Sequence, residues 1–410
     1  MRQLRHGLSA RRLLRLSASV PPPLRPDATF GVLDVTKYYG DTTGGVRTYL
    51  DEKSAYVAAH PALRHVVVVP GAQTSVSDTP GSRTYRLAGP PIPTQHPYRL
   101  LHSAAGLRDI LLRERPDLIE IGSPFLVPWV TRRAARGLGV PLVWFYHGNV
   151  PRLISQRPGQ DGLARSIGHR AAWGYVRAVS RRVRATLVAS DFVAADLERE
   201  GISNVARVPL GVDLDRFNPA RGADRTLVRR QHGLPDGPLA IYCGRFAREK
   251  HLDVLIRAWP AVEHATGAVL ALVGDGPSAA WLRRIPGADR VRWLPFERDR
   301  DRLADLLAAA DLYVAPGPAE TFGLAALEAL ASGTPVLSVD SGGVPELVRR
   351  SGAGDIYAVG DPGSLAERAV ALFGRDLLQL GSEGRRYAER EHAWGRVFDR
   401  IFALYRSLAR

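Results

Sequence analysis

The sequence predicts an α/β protein made of two doubly wound, parallel-sheet domains. Short apolar runs alternate with amphipathic stretches along nearly the whole chain, which is the βα pattern of a parallel sheet. The pattern pauses around Val208–Asp215 and restarts at Leu239, so it is laid down twice. A chain of 410 residues is also too long for one ordinary core and comfortable for two. These signals divide the chain into a basic tail (1–27), a first domain (28–212), a second domain (213–392) and a terminal helix (393–410). The helix is expected to pack back on the first domain.

Composition narrows the class. Hydrophobic residues make up 45% and charged residues 24%, ordinary for a soluble globular protein. No apolar run approaches the ~18 residues needed to span a bilayer. Cys243 is the only cysteine, which excludes an intramolecular disulfide and points to a reducing, cytoplasmic compartment. Lysine occurs only at Lys37, Lys53 and Lys250; arginine carries the rest of the positive charge, which reads as coding bias. The net charge of +15 is uneven: residues 1–210 hold 29 basic and 15 acidic side chains, residues 211–410 hold 27 and 26. The excess assigns an anionic partner to the first half, whether lipid surface, phosphorylated acceptor or nucleic acid.

Residues 1–27 are arginine-rich and end in Pro21-Pro22-Pro23; they read as a disordered tail, with a targeting segment or a mis-assigned start as alternatives. The first domain opens with a buried strand, Thr29–Val35, and a loop containing Gly44-Gly45, then a helix through Val57. Paired glycines let backbone approach a phosphate or sugar closely. Strands follow at His65–Val69, Asp117–Ile121, Pro141–Tyr146 and Ala185–Ala189. His147 comes directly after the third of these, where open α/β sheets bind ligands, so it is placed to hydrogen-bond a substrate. Residues 152–184 carry eight arginines with Trp173 and Tyr175, largely on a helix; this is a solvated face or a membrane-contacting one.

The second domain begins after a linker at 211–220. Asp213-x-Asp215 looks like a metal-binding pair but has no third ligand in view, so a structural role is expected and no metal site is assigned. The strand Leu239–Cys243 leads into Gly244-Arg245-Phe246-Ala247-Arg248-Glu249-Lys250, where Arg245 and Lys250 supply two cations for a diphosphate unless they pair with Glu249 or Asp253. Val269–Val273 precedes the tight loop Gly274-Asp275-Gly276-Pro277. Val291–Leu294 precedes Pro295-Phe296, where an aromatic and loop backbone can hold a base. Then comes the strand Asp311–Ala315 and a helix predicted to run from near Thr321 to Gly333. That start aims the amides of Phe322, Gly323 and Leu324 above the strand, where they suit a phosphate. Glu320 and Glu328 lie about 10 Å apart along the helix, flanking the cradle, and can grip hydroxyls on either side of a diphosphate.

These pieces resemble retaining glycosyltransferase family 4, whose GT-B fold sets two Rossmann-like domains across a cleft. The matching motifs are Gly44-Gly45-Val46, Val208–Asp213, Gly244-Arg245 with Lys250, Gly274–Pro277, Glu320-Thr321-Phe322-Gly323 with Glu328, Gly342-Gly343-x-Pro345-Glu346 and the Trp394 helix, in order over about residues 30–405. The resemblance implies a nucleotide-sugar donor, with Arg245 and Lys250 on the diphosphate, Glu320 on the sugar, Glu328 on the ribose, His147 near the sugar and Gly45 near the diphosphate. It also implies retention by same-face attack, without a metal or other cofactor. First-domain fragments such as Phe145–Arg152 look similar to bacterial α-mannosyltransferases acting on lipids. The expectation is therefore a hexosyltransferase using GDP-mannose or a UDP-hexose on a lipid-linked acceptor, peripheral on the inner face of the plasma membrane and without a nucleic-acid partner. A soluble-acceptor transferase, an epimerase of the same fold, and a non-catalytic basic membrane-binding protein are the alternatives.

Overall fold

The computed structural model describes residues 24–40, 44–93, 98–155 and 162–410. The expected tail over residues 1–27 lies, up to residue 23, outside the described residues, as do Asp41-Thr42-Thr43 and Arg157. The guanidinium of Arg25 donates to the carbonyls of Val57 (2.9 Å), His60 (3.2 Å) and Leu63 (3.0 Å).

The elements run β1 (Phe30–Val35), α1 (Gly45–Ala58), β2 (Leu63–Gly71), β3 (Ser75–Thr79), β4 (Ser82–Ala88), α2 (Ala104–Glu114), β5 (Leu118–Ile121), α3 (Leu126–Ala134), β6 (Leu142–Phe145), α4 (Val150–Ser155), α5 (Gly162–Ser180), β7 (Ala185–Val188), α6 (Asp191–Arg199) and β8 (Val205–Arg207). They continue with α7 (Arg225–Gln231), β9 (Leu239–Cys243), α8 (Leu252–Thr266), β10 (Val269–Val273), α9 (Ala279–Leu282), β11 (Arg292–Leu294), α10 (Arg300–Ala309), β12 (Leu312–Ala315), α11 (Leu324–Ala331), β13 (Val336–Val339), α12 (Val344–Ser351), β14 (Gly354–Tyr357), α13 (Pro362–Phe373), α14 (Leu377–Glu391) and α15 (Trp394–Ala409). The chain forms two compact units. One takes the residues up to His147, Ala178–Leu187 and Ile401–Arg410; the other takes Gly148–Arg177 and Val188–Arg400.

One sheet has eight strands in the order β3-β4-β2-β1-β5-β6-β7-β8, the other six in the order β11-β10-β9-β12-β13-β14. In each, the chain starts at a central strand, winds outward to one side, then returns to wind outward on the other. The reversal falls between β1 and β5 in the first sheet, which pair in parallel, and between β9 and β12 in the second. At such a point the loops after adjacent strands diverge and leave a crevice at the carboxyl ends. The central strands are buried on both faces, as βα crossovers require, and read as continuous apolar runs (LAIYC, VLALV) for that reason.

Two expectations are corrected. The first sheet is not wholly parallel: β3 pairs antiparallel with β4, and this hairpin escapes sequence reading because SVSDT is largely exposed and has no apolar alternation. The second concerns the helix expected near Thr321, which starts at Leu324. Residues before it form a turn and a bend pinned by the loop after β13: Gly343 N–H donates to Glu320 O (2.8 Å) and Ser341 Oγ to Pro318 O (2.9 Å). Only at Gly323, with φ +98°, does the backbone turn into the helix, and Gly333 ends it with φ +76°.

The loops after β9 and β10 cross at contact distance. A Cβ on Gly274 would lie 1.9 Å from the carbonyl oxygen of Gly244, at a φ of +149° that disfavours any side chain. Gly274→Ala is therefore expected to cost about 1–3 kcal/mol. Gly174→Ala, in the middle of α5 with open space around it, should stabilise by about 0.5–1 kcal/mol. Urea unfolding of both variants checks the pair; equal effects would contradict the crossing.

Candidate active site

In the second unit the residues expected to bind a donor gather at the reversal between β9 and β12. Gly244, with φ +157°, leaves β9 where a Cβ would strike the Tyr242 hydroxyl at 2.7 Å. Its N–H donates to Val273 O (3.0 Å), Phe246 N–H donates to Asp275 O (2.8 Å), and the Tyr242 hydroxyl donates to Arg245 O (3.3 Å), which together pin the loop. A short 3₁₀ turn, Arg248–Lys250, then swings the Lys250 side chain back toward the sheet, and His251 follows in the left-handed region. Lys250 Nζ donates to Glu320 Oε1, and Arg245 Nη2 to Glu249 Oε1. The two cations thus meet carboxylates: Lys250 takes the partner that the sequence placed on the sugar, and Arg245 takes Glu249 in the pairing left open above. Arg245 remains largely exposed, while Lys250 and Glu320 are half-buried.

The later start of α11 changes which amides form its open end. Its first turn presents Leu324, Ala325 and Ala326, with Gly323 as the cap. Phe322 precedes the helix, and its ring is buried 5.7 Å from that of His392. Gly323 to Ala325 stay partly open, so the cradle is shifted toward the helix without being lost. Glu328 is buried, and its Oε1 accepts from Arg300 Nη2 at 2.5 Å. Burial pushes its carboxyl up, against the pull of Arg300. Sequence reading missed Arg300, which lies 28 positions before Glu328 in an exposed, charged stretch with no motif around it. Phe296 is exposed on the loop after β11.

In the first unit Gly45 is the exposed first residue of α1. At the reversal between β1 and β5, Thr36 Oγ1 and Ser123 Oγ are 2.7 Å apart, and Lys37 N–H donates to Ser123 Oγ (2.8 Å). His147 follows β6 and is half-buried. Its ring stacks on Phe145 (4.1 Å, 8°) and meets Tyr49 edge-on (5.6 Å, 61°). Burial, and then the charge on Lys53, push its pKa down to about 3 against the opposing pull of Asp34. At neutral pH it is an uncharged imidazole, able to exchange hydrogen bonds with a hydroxyl.

Other expected residues are occupied elsewhere. Arg152 pairs with Asp196 (2.9 Å) and Arg177 with Glu200 (2.6 Å). Asp213 accepts from the N–H of Arg216 (3.0 Å) and pairs with its side chain (3.0 Å), the structural role expected of it. Among the described residues no group of three or more His, Cys, Asp or Glu side chains is arranged to hold a metal ion. Nor is any helix among them long and apolar enough to cross a membrane.

Comparison with known proteins identifies the family. Residues 43–216 match the family model described as Glycosyltransferase Family 4, and residues 237–375 match that of Glycosyl transferases group 1. A GDP-mannose-dependent alpha-(1-6)-phosphatidylinositol dimannoside mannosyltransferase of Mycobacterium tuberculosis is 32% identical over 92% of this chain and 96% of its own length. A GDP-mannose-dependent alpha-mannosyltransferase from the same species is 34% identical over 72% of this chain and 73% of its own. Among solved structures, the sucrose-phosphate synthase of Thermosynechococcus elongatus superposes with a TM-score of 0.75 over 92% of this chain and 99% of its own, at 23% identity, which speaks to the fold alone. The chain belongs to glycosyltransferase family 4 and is a glycosyltransferase.

Proposed function

We propose that the protein transfers mannose from GDP-mannose, with retention, to a phosphatidylinositol-type glycolipid at an anionic membrane surface. The observation that carries this reading is the 32% identity, over nearly the full length of both chains, to an enzyme named for that donor and that class of acceptor. The chemistry follows from the side chains. Arg245 and Lys250 exchange Glu249 and Glu320 for the diphosphate, and stabilise the charge that develops on GDP as the sugar–phosphate bond breaks. The amides of Gly323 and Leu324, with that of Phe322 beside them, add the partial positive charge of the α11 terminus. Released from Lys250, Glu320 accepts hydrogen bonds from the mannose hydroxyls. Glu328, oriented by Arg300, takes the ribose, and Phe296 lies against the base. Gly45 lets backbone approach the diphosphate, and neutral His147 hydrogen-bonds the sugar. Counter-charge comes from the two cations, so the reading requires no divalent ion.

Support for membrane contact comes from α3 and its flanks. Phe125, Leu126 and Trp129 are exposed (50%, 40% and 36%) and lie on the outer face that continues into Arg132, Arg133 and Arg136. Arg182 covers the Trp129 ring at 5.3 Å, and Lys37 covers Phe125 at 5.3 Å. Apolar rings among cations suit the boundary between anionic headgroups and acyl chains. This face, which includes Arg182, serves the peripheral, inner-leaflet location better than Arg152 and Arg177, which are already paired.

Three outcomes test the proposal. In a thermal-shift screen GDP-mannose should stabilise the protein more than UDP-hexoses, by about 2.7 kcal/mol at 100 times its Kd; an equal response to all donors would remove the choice of GDP. Lys250→Ala should lower kcat by about 10²–10³, and EDTA should change turnover less than twofold. A metal-dependent rate would overturn the assignment of counter-charge to Arg245 and Lys250. Finally, the protein should float with vesicles containing phosphatidylserine at low salt and less so as salt rises. The Trp129→Ser, Arg133→Ser double variant should stay in the soluble fraction, whereas flotation equal to the unsubstituted protein would exclude this face.

A further inference from the structure

Five buried polar side chains of the first unit have no part in the reading above. Lys53 of α1 has no exposed surface, and its Nζ donates to both oxygens of Asp34 in β1 (3.0 Å each), to Glu120 Oε2 in β5 (3.2 Å) and to the Tyr405 hydroxyl in α15 (3.3 Å). His65 of β2 closes the far side, with Nε2 2.5 Å from Asp34 Oδ2. One lysine cannot hold two buried carboxylates charged. Burial pushes Asp34 up, but Lys53 and His65 outweigh it and hold Asp34 well below the usual carboxylate range. Burial and the Asp34 charge push Glu120 far above it. The cluster settles as a Lys53–Asp34 ion pair beside a protonated Glu120.

What the cluster touches next is Tyr49, one helical turn before Lys53 on α1. The Tyr49 hydroxyl donates to Glu120 Oε2 (3.1 Å) and lies 3.2 Å from the Tyr405 hydroxyl, which itself donates to Glu120 Oε2. The Lys53 ammonium sits 4.5 Å from the Tyr49 ring centre and 5.3 Å from that of Tyr405. The other end of Tyr49 is the ring edge that meets His147. Phe145, which stacks on the imidazole and also meets the Tyr49 ring edge-on (5.2 Å, 68°), is fixed by its strand. The far end of Tyr49 is held in the cluster through its hydroxyl.

We propose that the Lys53–Asp34–Glu120 cluster is a seat for His147, acting through Tyr49, and that Tyr49 and Tyr405 are positioning residues for the transfer step. The inference rests on the reading that His147 meets the donor sugar. A hydroxyl held by two partners sets the plane and height of the Tyr49 ring, and the ring sets the tilt of the imidazole. An error of even 1 Å in such a group costs on the order of 10²-fold in rate. Lys53 adds a second effect: its positive charge favours the uncharged form of the imidazole, so His147 offers one donor and one acceptor nitrogen to hydroxyls.

The test is a double-mutant cycle with GDP-mannose as donor and vesicles containing phosphatidylinositol dimannoside as acceptor. Tyr49→Phe keeps the ring and removes the anchor. It should lower kcat about tenfold with the KM for GDP-mannose unchanged, and Tyr405→Phe about threefold. In a His147→Ala background each should cost less than twofold more, because a positioning residue has nothing left to position. Losses that multiply with that of His147→Ala, or an unchanged kcat in Tyr49→Phe, overturn the proposal. If Tyr49→Phe does not fold, Tyr405→Phe, which leaves both rings against His147 in place, carries the same cycle. The seat is also read without turnover. The imidazole ¹⁵N shifts of His147, assigned by their loss in His147→Ala, should move in Tyr49→Phe and Tyr405→Phe; unmoved shifts overturn the seat. A protein that fails to turn over GDP-mannose yet shows those shifts refutes the donor reading and leaves the seat standing.

Discussion

Inside the first unit, one ammonium group is shared between a carboxylate and a protonated carboxyl group. Lys53 reaches Asp34 on the central strand, Glu120 on its neighbour across the sheet reversal, and Tyr405 near the far end of the sequence, while His65 joins from a third strand. None of these groups is accessible to water, so each depends on the others for its hydrogen bonds. Removing one partner from such a set leaves a buried charge and typically costs about 3–5 kcal/mol, whereas an apolar replacement of the whole set is often neutral. The arrangement is thus a demanding way to fill a core. It fixes the register of α1 against three strands more sharply than apolar contact would, because each hydrogen bond fixes a direction as well as a distance.

The second unit solves a different problem. Its site must admit a large anion, so its cations stay near the surface and its close contacts are made by backbone. Gly244, Gly274 and Gly276 let two loops cross without side chains, and this holds the stem of Arg245 and Lys250 in place while their charged ends remain exchangeable. Each cation already has a carboxylate. Under the proposed function, donor binding is an exchange of one counter-ion for another, and the pairing spares the unliganded protein a cluster of like charges at the mouth of the sheet. In the proposed reaction Glu320 is central to that exchange, as counter-ion before the donor binds and as sugar-binding group after it.

Much of this was legible in the sequence. The strands Leu239–Cys243 and Val269–Val273 read correctly to the residue, because a strand covered on both faces is a bare apolar run bounded by glycine. The family motifs are short and local, and the enzyme class comes from the resemblance they carry. What failed to read was long-range or without pattern. Helix α11 begins late because Gly343, on another loop, captures the carbonyl of Glu320, and no local propensity encodes that hydrogen bond. Arg300 is one arginine among many until the fold brings it to Glu328. Lys53 was dismissed with the composition, although a lysine kept in a chain that otherwise uses arginine was the one available hint. Its partners lie 19, 67 and 352 positions away, separations at which no periodicity survives.

That last separation bears on how the protein is made. Residues 401–410 belong to the first unit, although the chain from Val188 to Arg400 belongs to the second. On the ribosome, where domains ordinarily fold in the order they emerge, the first unit waits with Asp34, Lys53 and Glu120 already translated and one wall of their cage missing. The second unit has every residue it needs before Tyr405 appears. The half of the enzyme synthesised second can therefore mature first, and the half synthesised first must be kept from aggregating until the final turns of α15 arrive to close it.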